Sequence, residues 1–186
     1  MRMNLLTALL FSLAFSCIVG CNATPRTESD RRVLSAEVQA LVVALKEKDA
    51  SISKYFDSAA GYAAFPSIGK GGFIIGGAFG RGEVFTSGGT LIGYSDMTQA
   101  SIGAQIGGQS FSEIIFFETK EALASFKTGT LAFSATASAV AVQSGAAAAA
   151  KYENGVVIFL TRPKGLMAEL SIGGQQFNFR SLADIE

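Results

Sequence analysis

Residues 69–84 read GKGGFIIGGAFGRGEV: seven glycines among sixteen residues, with Lys70 and Arg81 set between them. Three readings compete for such a stretch. A phosphate loop needs G-x-x-x-x-G-K followed by Ser or Thr, but Lys70 is followed by Gly71. A dinucleotide fingerprint, G-x-G-x-x-G, fails as well: from Gly69 the sixth residue is Ile74, and from Gly80 it is Phe85. A glycine zipper does fit, because Gly72, Gly76 and Gly80 lie four apart. Yet the uncharged run ends with Arg81 and Glu83, far short of the roughly 20 residues that span a bilayer. Glycines in strands permit bulges and close backbone approach. The stretch therefore reads as sheet, with a tight bend near Gly80 to Gly82.

Around it, turn pairs recur at 87–89, 107–108, 154–155 and 173–174, and short apolar runs lie between them. These predict strands over 72–79, 82–86, 90–97, 100–106, 110–117, 131–142, 155–161, 166–173 and 176–180. Asn154-Gly155 predicts a type I′ turn. Before Gly61 the period changes. Leu34, Val38, Leu41 and Leu45 form one helical stripe over about 30–48, with Ser29 or Asp30 able to cap it. A short helix follows near 51–60, and Thr119 caps another near 120–128, which Gly129 closes. Residues 128–150 carry no charge over 23 positions. They read as strand, because Ser134, Thr136, Ser138, Val140 and Val142 alternate with small residues; a buried helix and a membrane span are the alternatives. The fold class expected is α+β: a glycine-rich antiparallel sheet, strongly curled or barrel-like, packed by an N-terminal helix and one internal helix.

The N-terminus sets the compartment. Arg2 precedes an apolar run, Leu5–Val19, that ends in IVGC, residues 18–21. A branched apolar residue, a small residue and then cysteine form a lipobox behind a signal-peptide core. The expected organisation is a leader over 1–20, a lipidated tether over 21–28 and one domain over 29–186. Removing the leader leaves Cys21 with its sulfur acylated and excludes an internal disulfide. It also removes Arg2, leaving 14 basic against 15 acidic residues, so no cationic field favours nucleic acid. The anchor makes membrane lipid a partner. Asn22, rather than aspartate, follows the cysteine, and points to the outer membrane facing the periplasm.

Little supports catalysis. There is no histidine, the acids are scattered, and no D-x-D-x-D loop offers a metal site. No cofactor is implied.

Four blocks carry a family resemblance. AAGYAAFPSIGKGGFIIGGAFGRGEV (59–84), ASIGAQIGGQSFSEIIFF (100–117), ASAVAV (137–142) and LTRPKGLMAELSIGG (160–174) resemble, in order, the blocks of the SYLF domain family. Pro163 and Glu169 depart from its pattern. The resemblance covers about Val33 to Phe179 and implies a non-enzymatic module. Eukaryotic members bind membrane lipids, often phosphoinositides, and some associate with actin. Carried onto this chain, it implies that Lys70, Arg81, Arg162 and Lys164 bind anionic phospholipid headgroups. The same four also read as solvated turn residues that protect strand edges. The alternative function is a structural or assembly lipoprotein that contacts envelope proteins through its sheet or first helix. An exposed aromatic near the basic turns favours lipid; a flat apolar patch elsewhere favours a protein partner.

Lipidation generates the first prediction. Cys21→Ser should leave the protein without acyl chains and move it out of the membrane fraction. Intact-mass analysis of the wild-type protein decides it, and an unmodified Cys21 would refute the anchor.

Overall fold

The computed structural model describes residues 25, 27–71, 75–102, 109–130, 139–161 and 174–185. Helix α1 spans Glu28–Lys48 and buries Leu34, Val38, Leu41 and Leu45, the stripe its spacing predicts. Its cap lies earlier than expected, at Thr27. The Asp30 amide donates to Thr27 Oγ1 at 3.0 Å, and the Thr27 amide returns to the Asp30 carboxylate at 3.3 Å. This reciprocal box satisfies two otherwise unpaired donors. A 3-10 turn (Ala50–Ile52) and a short helix α2 (Ser53–Ser58) follow.

Four strands come next: β1 (Gly61–Gly71), β2 (Ile75–Thr86), β3 (Leu91–Ile102) and β4 (Gln109–Phe117). Helix α3 (Lys120–Lys127) is capped by Thr119, with Gly129 at φ +70° after it. The chain ends with β5 (Ala139–Ala141), a single turn α4 (Ala146–Ala149), β6 (Val156–Thr161), β7 (Gln175–Ser181) and a 3-10 turn (Leu182–Asp184). The seven strands form one sheet in the order β5-β6-β4-β1-β2-β3-β7. All pairs are antiparallel except β5 with β6. Asn154 and Gly155 take φ of 52° and 78° between the bridged Glu153 and Val156, as a type I′ turn requires.

The chain is thus α+β, but the strongly curled or barrel-like sheet expected from the glycine content is not supported: among the described residues the sheet does not close. β5 and β7 remain two separate edges. Leu123 and Phe126 of α3 fill the face that closure would seal. Each face carries its own core. One gathers Phe65, Met97, Phe111, Ile115, Phe117 and Phe177 with α3; the other gathers Ile114, Phe116, Val157 and Phe159 with α1 and α2.

Three strand expectations need correction. The runs 90–97 and 100–106 are not separate, because β3 continues unbroken from Leu91 to Ile102. Residues 61–71, over which no strand is expected, form β1, its middle strand. The bend expected at Gly80–Gly82 lies in β1 instead. β2 pairs with β3 without interruption from Ile75 to Val84, while β1 holds an extra residue between Ala64 and Ser67 against β2. Pro66 sits in this bulge, where its missing N–H takes no bond from a ladder. Residues 146–149, part of the uncharged run, form a helical turn, and the expected strand positions 103–106, 131–138 and 166–173 lie outside the described residues.

The glycines of β2 answer the bulge of β1. A Cβ on Gly82 would stand 2.5 Å from the Ala64 carbonyl oxygen and 2.7 Å from the Phe65 ring, and one on Gly80 2.6 Å from Ile68 Cγ1. One on Gly77 would meet only the Gln99 carbonyl oxygen, at 3.7 Å. Gly82→Ala should therefore destabilise the domain by about 1–3 kcal/mol through overpacking, and Gly77→Ala by less than about 0.5 kcal/mol. Urea denaturation of the two variants measures this; equal midpoints would mean that β1 does not press on β2 at Gly82.

Candidate functional site

Of the five residues read as functional from sequence, the described structure places two. Cys21, Arg162 and Lys164 lie outside the described residues. Lys70 pairs in register with Ala78 of β2 and Gln109 of β4, and Arg81 pairs with Ser67 of β1 and Asp96 of β3. In one straight strand these two positions would lie over 30 Å apart at about 3.3 Å per residue. The β1–β2 hairpin instead sets them three residue steps apart, about 10 Å along the strand. Three is an odd step, so the two register positions fall on alternate faces of the sheet. β6 ends at Thr161, which pairs with Ser112 of β4, at the same end of the sheet as Lys70.

Arg81 is exposed on the face that α1 covers. It lines an open groove of about 450 Å³ between the N-terminal half of α1 and the β1–β2 pair. Pro25, Val33 and Glu37 come from the helix side, and Ser67, Gly69 and Phe79 from the sheet side. The bulge creates this arrangement. By inserting one residue it turns Ser67 and Gly69 toward α1, whereas Phe65, on the same odd count, faces the α3 core. Gly69 leaves open space, since a Cβ there would meet nothing within 4 Å. Phe79 is 39% exposed, two residues from Arg81 on the same face. Sequence reasoning found Arg81 but missed Glu37 and Phe79. The period-two pattern of β2 could have placed Phe79 beside Arg81; nothing in one dimension could have placed Glu37 across from it.

Two glutamates are buried in the sheet. Glu83 accepts a hydrogen bond from Ser35 Oγ of α1, and burial raises its carboxyl above the usual range. Glu113, fully buried under the α3 face, accepts from Gln175 Nε2 at 2.8 Å, although β1, β2 and β3 lie between β4 and β7 in the sheet order. Its Oε1 has no hydrogen-bond partner among the described residues. Burial pushes this carboxyl up to about 7, against the pull of the Gln175 bond. Neither glutamate lines the groove, and the described residues contain no cluster of three potential metal ligands. No helix among the described residues is long and apolar enough to cross a membrane.

A family model described as Ysc84, Las17-binding protein actin regulator, matches residues 98–184. The match starts inside β3 and runs through β7, so α1, β1 and β2, which form the groove, precede it. Beta cell expansion factor A of Aeromonas veronii is 27% identical over 154 residues, covering 82% of this chain and 59% of that protein. The chain thus spans less than two thirds of this relative's length.

The buried glutamates make stability depend on pH. A carboxyl whose pKa rises on folding stabilises the fold below its unfolded value and loses that contribution as pH rises through its folded value. For Glu113 the window runs from 4.5 to about 7. Melting temperature should therefore be lower at pH 8 than at pH 5. Glu113→Gln should remove part of that difference, of order 1–3 kcal/mol, and Glu83 should retain a share with the same sign. A pH dependence identical in Glu113→Gln and wild type would show that Glu113 is not carrying a raised pKa.

Proposed function

We propose, on the premise that residues 98–184 belong to the SYLF (Ysc84) family, that this protein is a non-catalytic, membrane-anchored envelope lipoprotein that binds lipid headgroups. Cys21 is the acyl attachment. Arg81 is the headgroup contact on the face that α1 covers; Lys70, at a register position on the other face, and Arg162 and Lys164 add attraction to anionic lipid, and the outer membrane, on its periplasmic side, is the location. The observation that carries this reading is the pairing of exposed Phe79 with exposed Arg81 on one face of β2. A guanidinium is suited to phosphate oxygens, and a neighbouring aromatic ring suits the boundary between headgroup and acyl chain. The several acyl chains of a lipidated Cys21 anchor stably on their own, and the headgroup contacts then orient the domain on the surface.

A second reading also has support. Val43, 55% exposed, stands on the outer side of α1, away from the groove. A protein partner docking on that helix would make this a structural or assembly lipoprotein.

Vesicle flotation of residues 22–186, free of acyl chains, separates the two. The lipid reading expects co-flotation with anionic vesicles that weakens between about 0.1 and 1 M salt, as the Debye length shrinks from about 10 to 3 Å. Replacing Lys70, Arg81, Arg162 and Lys164 together by Gln should abolish the salt-sensitive part and leave the melting temperature nearly unchanged. Flotation unaffected by the four substitutions would sink the headgroup site and leave the protein-partner reading ahead.

A further inference from the structure

The groove between α1 and the β1–β2 pair holds charges of both signs. Arg81 enters from the sheet side; on the helix side stand Glu37, exposed, and Asp30, whose carboxylate accepts from the Thr27 amide. A ligand carrying only negative charge would meet the Glu37 carboxylate as well as the Arg81 guanidinium. One carrying only positive charge would meet the reverse. A zwitterion satisfies both. Beside the charges lie two exposed apolar side chains, Phe79 and Val33, at 39% and 56% exposure. Over Gly69 the space is open.

Position favours a membrane source. Pro25 lines the groove and is four residues from Cys21. At 3.3–3.6 Å per residue the tether reaches no more than about 14 Å. An acylated Cys21 therefore holds the groove beside the headgroups of its own membrane.

We propose that this groove seats the headgroup of a zwitterionic phospholipid bearing a primary ammonium, with the phosphate at Arg81, the ammonium at Glu37 and the glycerol end against Phe79 and Val33. This rests on the lipid-binding reading above and specifies the headgroup that the groove selects. Lys70, Arg162 and Lys164 then contribute attraction without headgroup choice. The selectivity has a chemical basis. A primary ammonium offers three N–H donors to the Glu37 carboxylate, whereas a choline headgroup offers none.

The test uses the full chain in detergent, titrated calorimetrically with water-soluble short-chain phosphatidylethanolamine, phosphatidylcholine and phosphatidylglycerol. The ethanolamine lipid should bind about tenfold more tightly than the choline lipid, the worth of a charge-assisted hydrogen bond. Glu37→Gln should erase that preference while leaving phosphatidylglycerol binding equal or stronger. Gly69→Leu should fill the groove and remove ethanolamine-lipid binding. Its melting temperature should stay near wild type, because the new side chain enters open space in a strand whose φ it can adopt. Wild-type binding that does not distinguish ethanolamine from choline, a preference that survives Glu37→Gln, or unchanged binding by Gly69→Leu would each overturn the proposal. If salt-sensitive flotation with anionic vesicles persists in those cases, the general lipid-binding reading stands and only the groove is lost. If the wild type binds no lipid in either experiment, both fall.

Discussion

The close approach of β1 and β2 at Gly80 and Gly82 is the constraint on which the rest of the structure hangs. β1 is the middle strand of seven, and it carries an extra residue between Ala64 and Ser67. A bulge there presses the backbone at Ala64 and the side chains of Phe65 and Ile68 onto β2. Only residues without a Cβ fit opposite, because the approach of 2.5–2.7 Å is closer than any real side-chain carbon allows. β2 in turn stays regular, and β3 pairs along its whole length from Ile75 to Val84. The distortion opposite these glycines lies in β1; a second irregularity, an extra residue in β3 at Ile92, lies at the far end of the β2–β3 pair.

The same bulge decides what each face does. Before it, odd-numbered residues of β1 face α3 and even-numbered ones face α1; after it the assignment reverses, so Ile68 enters the α3 core while Ser67 and Gly69 look toward α1. Without the extra residue, Ile68 would lie under α1 and fill the groove. The groove is therefore a consequence of register, and its openness is a consequence of Gly69 at a position where most strands place a side chain.

This explains which parts of the molecule were legible in sequence. The stripe of α1 was readable because 3.6-residue periodicity survives any context. So were the Asn154-Gly155 turn and the cap of α3, whose chemistry is local. β1 was not, because GYAAFPSIGKG combines small residues, a proline and no clean alternation; its parity flip erases the period-two signal that reveals a strand. The glycines of β2 signalled close approach correctly, but a single chain does not say which strand approaches. The bend was therefore assigned to β2 when its cause lay in β1. Of the site, Arg81 was legible from composition. That Glu37 lines the same groove was not, since the two are 44 positions apart in sequence and share it only because α1 lies across the hairpin.

The helix that roofs the groove is held unevenly along its length. Toward its C-terminus, Leu41 and Leu45 join Ile52, Tyr55 and the aromatic cluster of Phe56, Tyr62 and Phe116, and Lys46 Nζ stands 4.5 Å from the Phe56 ring. Toward its N-terminus, Leu34 and Val38 are buried, Val33 faces solvent, and the polar tie is the hydrogen bond from Ser35 to buried Glu83. That bond satisfies a carboxylate that burial disfavours, so removing it would leave a buried charge short of a partner as well as loosen the helix. The tether joins the helix at this same lightly held end, through Pro25 and the Thr27–Asp30 box. An anchor in the membrane would therefore act first on the part of α1 that lines the groove, while the aromatic cluster holds the other end in place. On the proposed anchoring, membrane attachment and groove geometry would be coupled through Thr27, Asp30 and Ser35, of which Asp30 lines the groove itself.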